Sequence, residues 1–214
     1  MLKEKITTDN FAQNYFDSIS EALKTTQYKV EGVKVEKEFF FKKLLVETKE
    51  VQTSQGRLFF FGNGASAAFS NHMALDWSKN GGILAFSLSD SAMLTALAND
   101  YDYDDCFLEF LKINNPNSND LIITTSSSGN SKNVVNVLKY CKDNGIKTFG
   151  LSGLNEKNKT ELTADFSLFV PMKTYGLVEC IHQVFHHLIL DNHMGIEEWG
   201  KTESQNMNAN NFKL

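Results

Sequence analysis

Short apolar runs alternating with segments of helical periodicity dominate the chain beyond residue 57, and they restrict it to a narrow set of architectures. The runs are Leu58–Phe61, Ile83–Ser87, Leu121–Thr124, Thr148–Leu151 and Phe166–Val170. Helical spacing of apolar residues predicts helices over about 66–79, 91–98, 104–113, 131–143 and 177–194. Strands separated by helices pair in parallel, because each crossover is long enough to return over a face of the sheet. The expected fold class is therefore α/β, a doubly wound (Rossmann-like) parallel sheet flanked by helices. Both prolines, Pro116 and Pro171, fall in connections.

Asn10 to Glu50 is charged and carries apolar residues such as Phe39, Leu44, Leu45 and Val46 at helical spacing, with Gly32 its single glycine. One or two long helices are expected there. Residues 1–55 thus read as an N-terminal helical region packing on the domain or on a neighbouring subunit. Residues 56–194 read as the α/β domain and 195–214 as a polar C-terminal tail whose asparagine-rich end frays. A chain of 214 residues suits one large domain. Its net charge of −5 argues against nucleic acid as an obligate partner. No run approaches the roughly 20 apolar residues of a membrane span, and the N-terminus lacks the apolar core of a secretory signal. A cytoplasmic protein without membrane partners is expected. Cys106, Cys141 and Cys180 are odd in number and far apart, which argues against a disulfide framework or a cysteine zinc site.

Two turns that leave predicted strands and open predicted helices carry small and hydroxyl residues. The first, FFFGNGASAAF, offers Asn63, Gly64, Ala65 and Ser66; the second, IITTSSSGNSKNVV, offers Ser126, Ser127, Ser128 and Ser131. Serine hydroxyls at a positive helix N-terminus can hold a phosphate without basic side chains. A turn that merely caps the next helix is the other reading. The P-loop lysine and the third glycine of GxGxxG are both missing, so no nucleotide cofactor is expected.

In SNHMALDW, His72 and Asp76 lie four apart and share a helix face. On the last helix the 100° projection sets Glu179, His182, Gln183, His186 and His187 on one polar stripe. Val178, Ile181, Val184, Phe185, Leu188 and Ile189 form the opposite, buried side. A solvated polar face is the alternative to a functional one.

The pair GNGAS and TSSSGNS, each between a strand and a helix, resembles the sugar isomerase (SIS) domain. Within that superfamily the N-terminal helical region, LSDSAMLTALAND and IHQVFHHL resemble the phosphoheptose isomerases over residues 10–194. The resemblance implies an SIS fold with an N-terminal helical extension. It implies an intramolecular oxidoreductase that converts sedoheptulose 7-phosphate to D-glycero-D-manno-heptose 7-phosphate for lipopolysaccharide or capsule. It places phosphate on Ser126, Ser127, Ser128 and Ser131, with Ser127 where the family has threonine. Asn63, Gly64, Ala65, Ser66, Asn99, Asp100 and Glu179 would contact the sugar, with Ala65 in place of a glycine. The family's acid–base and zinc positions fall on His72, Asp76, Glu179 and His187. Asp76 there replaces a glutamate, Glu179 a glutamine, and Gly176 an aspartate.

Moving a proton between C1 and C2 through an enediol needs a base, an acid and charge stabilisation. Asp76 and His187 are the expected catalytic pair; a divalent ion, zinc by resemblance, would be the cofactor. The resemblance also implies a homo-oligomer, a tetramer, with a phosphosugar as its small-molecule partner. Two other readings remain open: an isomerase for another ketose phosphate, or a non-catalytic SIS protein that binds a phosphosugar or a protein, as the replication-initiation regulators do.

Overall fold

In the computed structural model, which describes residues 10–197 and residue 199, the N-terminal region is two helices with a hairpin between them. Helix α1 (Phe11–Thr25) leads into strands β1 (Gln27–Val30) and β2 (Val33–Val35), and α2 (Lys37–Thr53) follows. Glu31 and Gly32 make the turn at φ 49° and 78°, the two left-handed residues that match the twist of a tight hairpin. Tyr28 is buried against Phe40 and Phe41 of α2, which fixes the hairpin to the helix behind it. Beyond residue 199 the polar tail expected over 195–214 lies outside the described residues.

One seven-stranded sheet runs in the order β2-β1-β7-β6-β5-β3-β4. Strands β3 (Leu58–Gly62), β4 (Ala85–Ser87), β5 (Leu121–Ser126), β6 (Lys147–Gly153) and β7 (Phe166–Val170) form its parallel part. The hairpin joins β7 antiparallel and makes the sheet mixed. Alternation along β3 sends Leu58 and Phe60 to one core and Phe59 and Phe61 to the other. Helices α1, α2, α3 (Ala65–Asp76) and α8 (Tyr175–Met194) cover the first face. Helices α4 (Ser91–Asp100), α5 (Cys106–Ile113) and α6 (Lys132–Asp143) cover the second. The short α7 (Lys159–Thr163), unmarked by any sequence period, starts where the Glu161 amide donates to Asn158 Oδ1 at 2.9 Å.

From β3 the chain moves outward to β4, then returns past β3 to build β5, β6 and β7 on the other side. Such a reversal opens a crevice at the carboxyl ends of the two central strands, the usual ligand position in open α/β sheets. Here those ends are the two turns singled out in the sequence.

Helix α8 corrects the expected division of its faces. His182 and His186 are buried, 0% and 3% exposed, alongside Val178, Ile181 and Phe185, whereas Val184 and Leu188 reach the surface. The buried stripe of a helix lying on a sheet is set by the sheet beneath it, and imidazoles enter that stripe when strand ends supply partners.

Candidate active site

The two turns meet over one cavity of about 130 Å³. Gly62 ends β3 where a Cβ would collide with Ser66, so α3 begins close against the strand. Asn63 and Ser66 line the cavity from this side; Thr125, Ser126, Ser127, Ser128 and Ser131 line it from the other. Tyr175 and Glu179, from the first turns of α8, close it. Thr125 and Tyr175 are additions to the residues expected from sequence. Gly64 and Ala65 are exposed beside the cavity, and neither they nor Asn99 and Asp100 line it. Asn99 instead donates from Nδ2 to Asp100 Oδ1 at 2.9 Å on the exposed end of α4.

Ser131 occupies the N-cap of α6, yet its hydroxyl makes no capping hydrogen bond. It accepts from Ser126 Oγ at 3.2 Å, and Ser126 Oγ lies 3.5 Å from Ser128 Oγ. A turn serving only as a cap would spend the Ser131 oxygen on a helix amide. These hydroxyls instead gather at the positive end of α6, which is the arrangement an anion requires. Gly129 permits it, because its φ is 63° and Asn158 fills the place of a Cβ.

Asn63 links the two turns. Its amide exchanges hydrogen bonds with the amide of Asn133 at 2.9 and 3.0 Å, and Tyr103 Oη donates to Asn63 Oδ1 at 2.9 Å. Asn133 and Tyr103 were missed in the sequence; the one available signal was a polar Asn133 at the head of an otherwise apolar helix face.

A second cluster lies farther along α3 and α8. His72, Asp76 and His187 each offer one ligand atom, all within 4.8 Å of one another. His72 Nε2 stands 3.2 Å from Asp76 Oδ2, the His72 and His187 rings meet edge to face at 5.4 Å, and the Gln183 amide reaches His187 Nε2 at 2.8 Å. Glu179 is not in this group. It precedes His187 by eight residues, about 12 Å along the helix, so one chain offers three of the four expected ligands. Two imidazoles and a carboxylate fit a zinc site that keeps a position open, since bonds of about 2.1 Å put tetrahedral donors about 3.4 Å apart. His182 and His186 belong to neither cluster. Burial pushes them down to about 4 and about 3, which leaves both neutral at pH 7.

Three comparisons place this arrangement among known proteins. The SIS domain model matches residues 15–153. A phosphoheptose isomerase of Helicobacter pylori (strain Shi470) is 36% identical over 157 residues, covering 69% of this chain and 78% of the relative. That of Aliarcobacter butzleri (strain RM4018) is 35% identical over 164 residues, covering 71% and 82%. The phosphoheptose isomerase structure from Neisseria gonorrhoeae superposes with a TM-score of 0.73 at 23% identity, over 86% of this chain and 95% of that one. The Francisella tularensis structure gives 0.74 at 18%, over 89% and 100%, so both share the fold. With its SIS architecture and these relatives, the chain belongs to the phosphoheptose isomerase family and is an isomerase.

Proposed function

We propose that this isomerase interconverts a ketose phosphate and its aldose, with sedoheptulose 7-phosphate and D-glycero-D-manno-heptose 7-phosphate as the first pair to test. The carrying observation is the serine cavity at the head of α6, with three proton- and metal-competent groups along α3 and α8, the two helices that also border it. The names of the relatives support the sugar; the hydroxyl cluster supports the phosphate. Lipopolysaccharide or capsule heptose is the matching use of the product, and the cytoplasm, where sugar phosphates are made, the matching compartment.

In this reading Ser126, Ser127, Ser128, Ser131 and the α6 amides hold the phosphate, and Asn63 and Ser66 orient the chain of the sugar. Asp76 and His187 exchange the proton between C1 and C2. His72 holds the Asp76 carboxylate in place, and the Gln183 amide fixes the His187 ring. A divalent ion held by His72, Asp76 and His187, zinc by chemistry of the donors, would polarise the carbonyl and stabilise enediolate charge.

The cluster sits at the surface, with His72 half exposed, and exposed Leu75, Val184 and Leu188 lie within one helical turn of Asp76 or His187. Exposed apolar side chains beside polar catalytic groups suit an interface with a second copy. This supports a homo-oligomer, a tetramer, whose assembly encloses the cluster.

The test is incubation with sedoheptulose 7-phosphate in deuterated water, followed by NMR. Heptose 7-phosphate carrying deuterium at the exchanging carbon is expected. Asp76→Asn and His187→Gln should each lower turnover by about 10²–10⁴-fold. A chelator should abolish turnover and added zinc restore it. Full turnover in both variants would remove the pair from the chemistry.

A further inference from the structure

Two histidines of α8 face the sheet, where an ordinary α/β helix carries leucine or isoleucine. Burying an imidazole costs free energy unless it is hydrogen bonded, and each of these has a specific partner. His186 Nε2 shares a hydrogen bond of 2.9 Å with Thr125 Oγ1, and His182 Nε2 donates to the Ser152 carbonyl at 3.1 Å. The partners are the carboxyl ends of adjacent strands. Thr125 lines the cavity and is followed by Ser126, the first serine of the loop. Ser152 pairs in register with Ser126, and the Gly153 amide donates to the Ser127 carbonyl at 3.0 Å. One anchor of α8 thus ends on the side chain of the residue before the serine loop, the other on the neighbouring strand that pairs with it.

We propose that His186 is a positioning residue, locking α8 onto the serine loop so that His187 stands at a fixed height from the bound phosphate. Apolar packing between Phe185, Ile189 and the sheet resists separation but has no preferred direction, so it tolerates small axial slides. A hydrogen bond of defined length and angle does not. His187 follows His186 directly in the chain, so any slide of α8 reaches the acid–base cluster undiminished. Misplacement of reacting groups by about 1 Å can cost roughly 10²-fold in rate.

The inference rests on the isomerase reading for its kinetic arm, and hydrogen exchange tests it separately. The Thr125→Val/His186→Leu double variant removes both partners together, which leaves stability nearly unchanged. Its kcat for sedoheptulose 7-phosphate should fall about tenfold or more, by a larger factor than any change in KM. Amides of residues 126–130 should exchange faster, with α6 unaffected. His186→Gln, whose amide nitrogen reaches the position of imidazole Nε2, should recover most of the kcat that His186→Leu loses. Parental kcat and parental loop protection in the double variant would overturn the proposal. So would a His186→Gln variant no better than His186→Leu, with kcat falling only in step with the folded fraction. If the parent protein fails to isomerise sedoheptulose 7-phosphate, the substrate reading falls, and the amide exchange still decides whether His186 fixes the loop.

Discussion

Ser128 sits where the loop turns towards the cavity, and its oxygen accepts from the Asn130 amide at 3.2 Å. A hydrogen bond to a charged group contributes about 1.5–3 kcal/mol. Ser128→Ala should therefore raise the Kd for sedoheptulose 7-phosphate by roughly ten- to hundredfold, measured by calorimetry, and leave unphosphorylated sedoheptulose unaffected. Equal weakening of both sugars would remove the loop as phosphate anchor. The sequence showed these hydroxyls because four serines crowd one strand-to-helix boundary, more than a single N-cap uses. It showed His72 with Asp76 because a spacing of four puts two side chains on adjacent turns of one face. It grouped Glu179 with His187, and the structure sets Glu179 at the serine cavity, because a helical projection tells which side chains share a face and says nothing of their height along it. Tyr103 and Asn133 come to Asn63 from other elements, and no local pattern marks such a meeting.

At the scale of elements, every strand of the parallel sheet was legible, since each is an apolar run bounded by polar segments. The β1–β2 hairpin was not. Its Glu-Gly turn lacks the Asn-Gly or Asp-Gly signature, and its lysines blend into the charged helices on both sides. Helix α8 was legible as a helix but not in its orientation, because histidine reads as polar until a buried acceptor is known. That orientation has a measurable cost in acid. Burial pushes His182 to about 4 and lowers His193, despite the Gly81 carbonyl that accepts from it at 3.1 Å. Both stand at an ordinary 6.5 once unfolded. Above that value neither state holds the protons, and stability does not depend on them. As pH falls below 6.5 the unfolded chain takes up protons the folded chain refuses, and stability is lost down towards pH 4. Over this window His182 steepens the loss by up to about 1.4 kcal/mol per pH unit, and His193 acts in the same direction. Urea midpoints should fall over this window, and His182→Leu should flatten the slope; a midpoint constant from pH 7 to pH 4.5 would contradict the buried neutral state.

For the whole molecule, the proposed assembly needs a surface for a second copy. Exposed Leu75 precedes Asp76 on α3, and exposed Val184 and Leu188 lie within one turn of His187 on α8. Val184→Glu, at the surface of the protomer, should leave the melting temperature of the protomer fold nearly unchanged. It should move the sedimentation coefficient from that of a tetramer to that of a smaller species and lower turnover with it. A parent protein that sediments as a monomer at micromolar concentration would end the assembly reading.

The hairpin bears on the same question from the other side. It places β2 on one border of the sheet and leaves β4 on the opposite border, and each strand is three residues long. Borders so short offer few free amides and carbonyls to a stranger, and Lys34 at the centre of β2 makes that one costlier still to dock against. Such borders resist polymerisation strand by strand, and leave the helices as the surfaces for the proposed assembly.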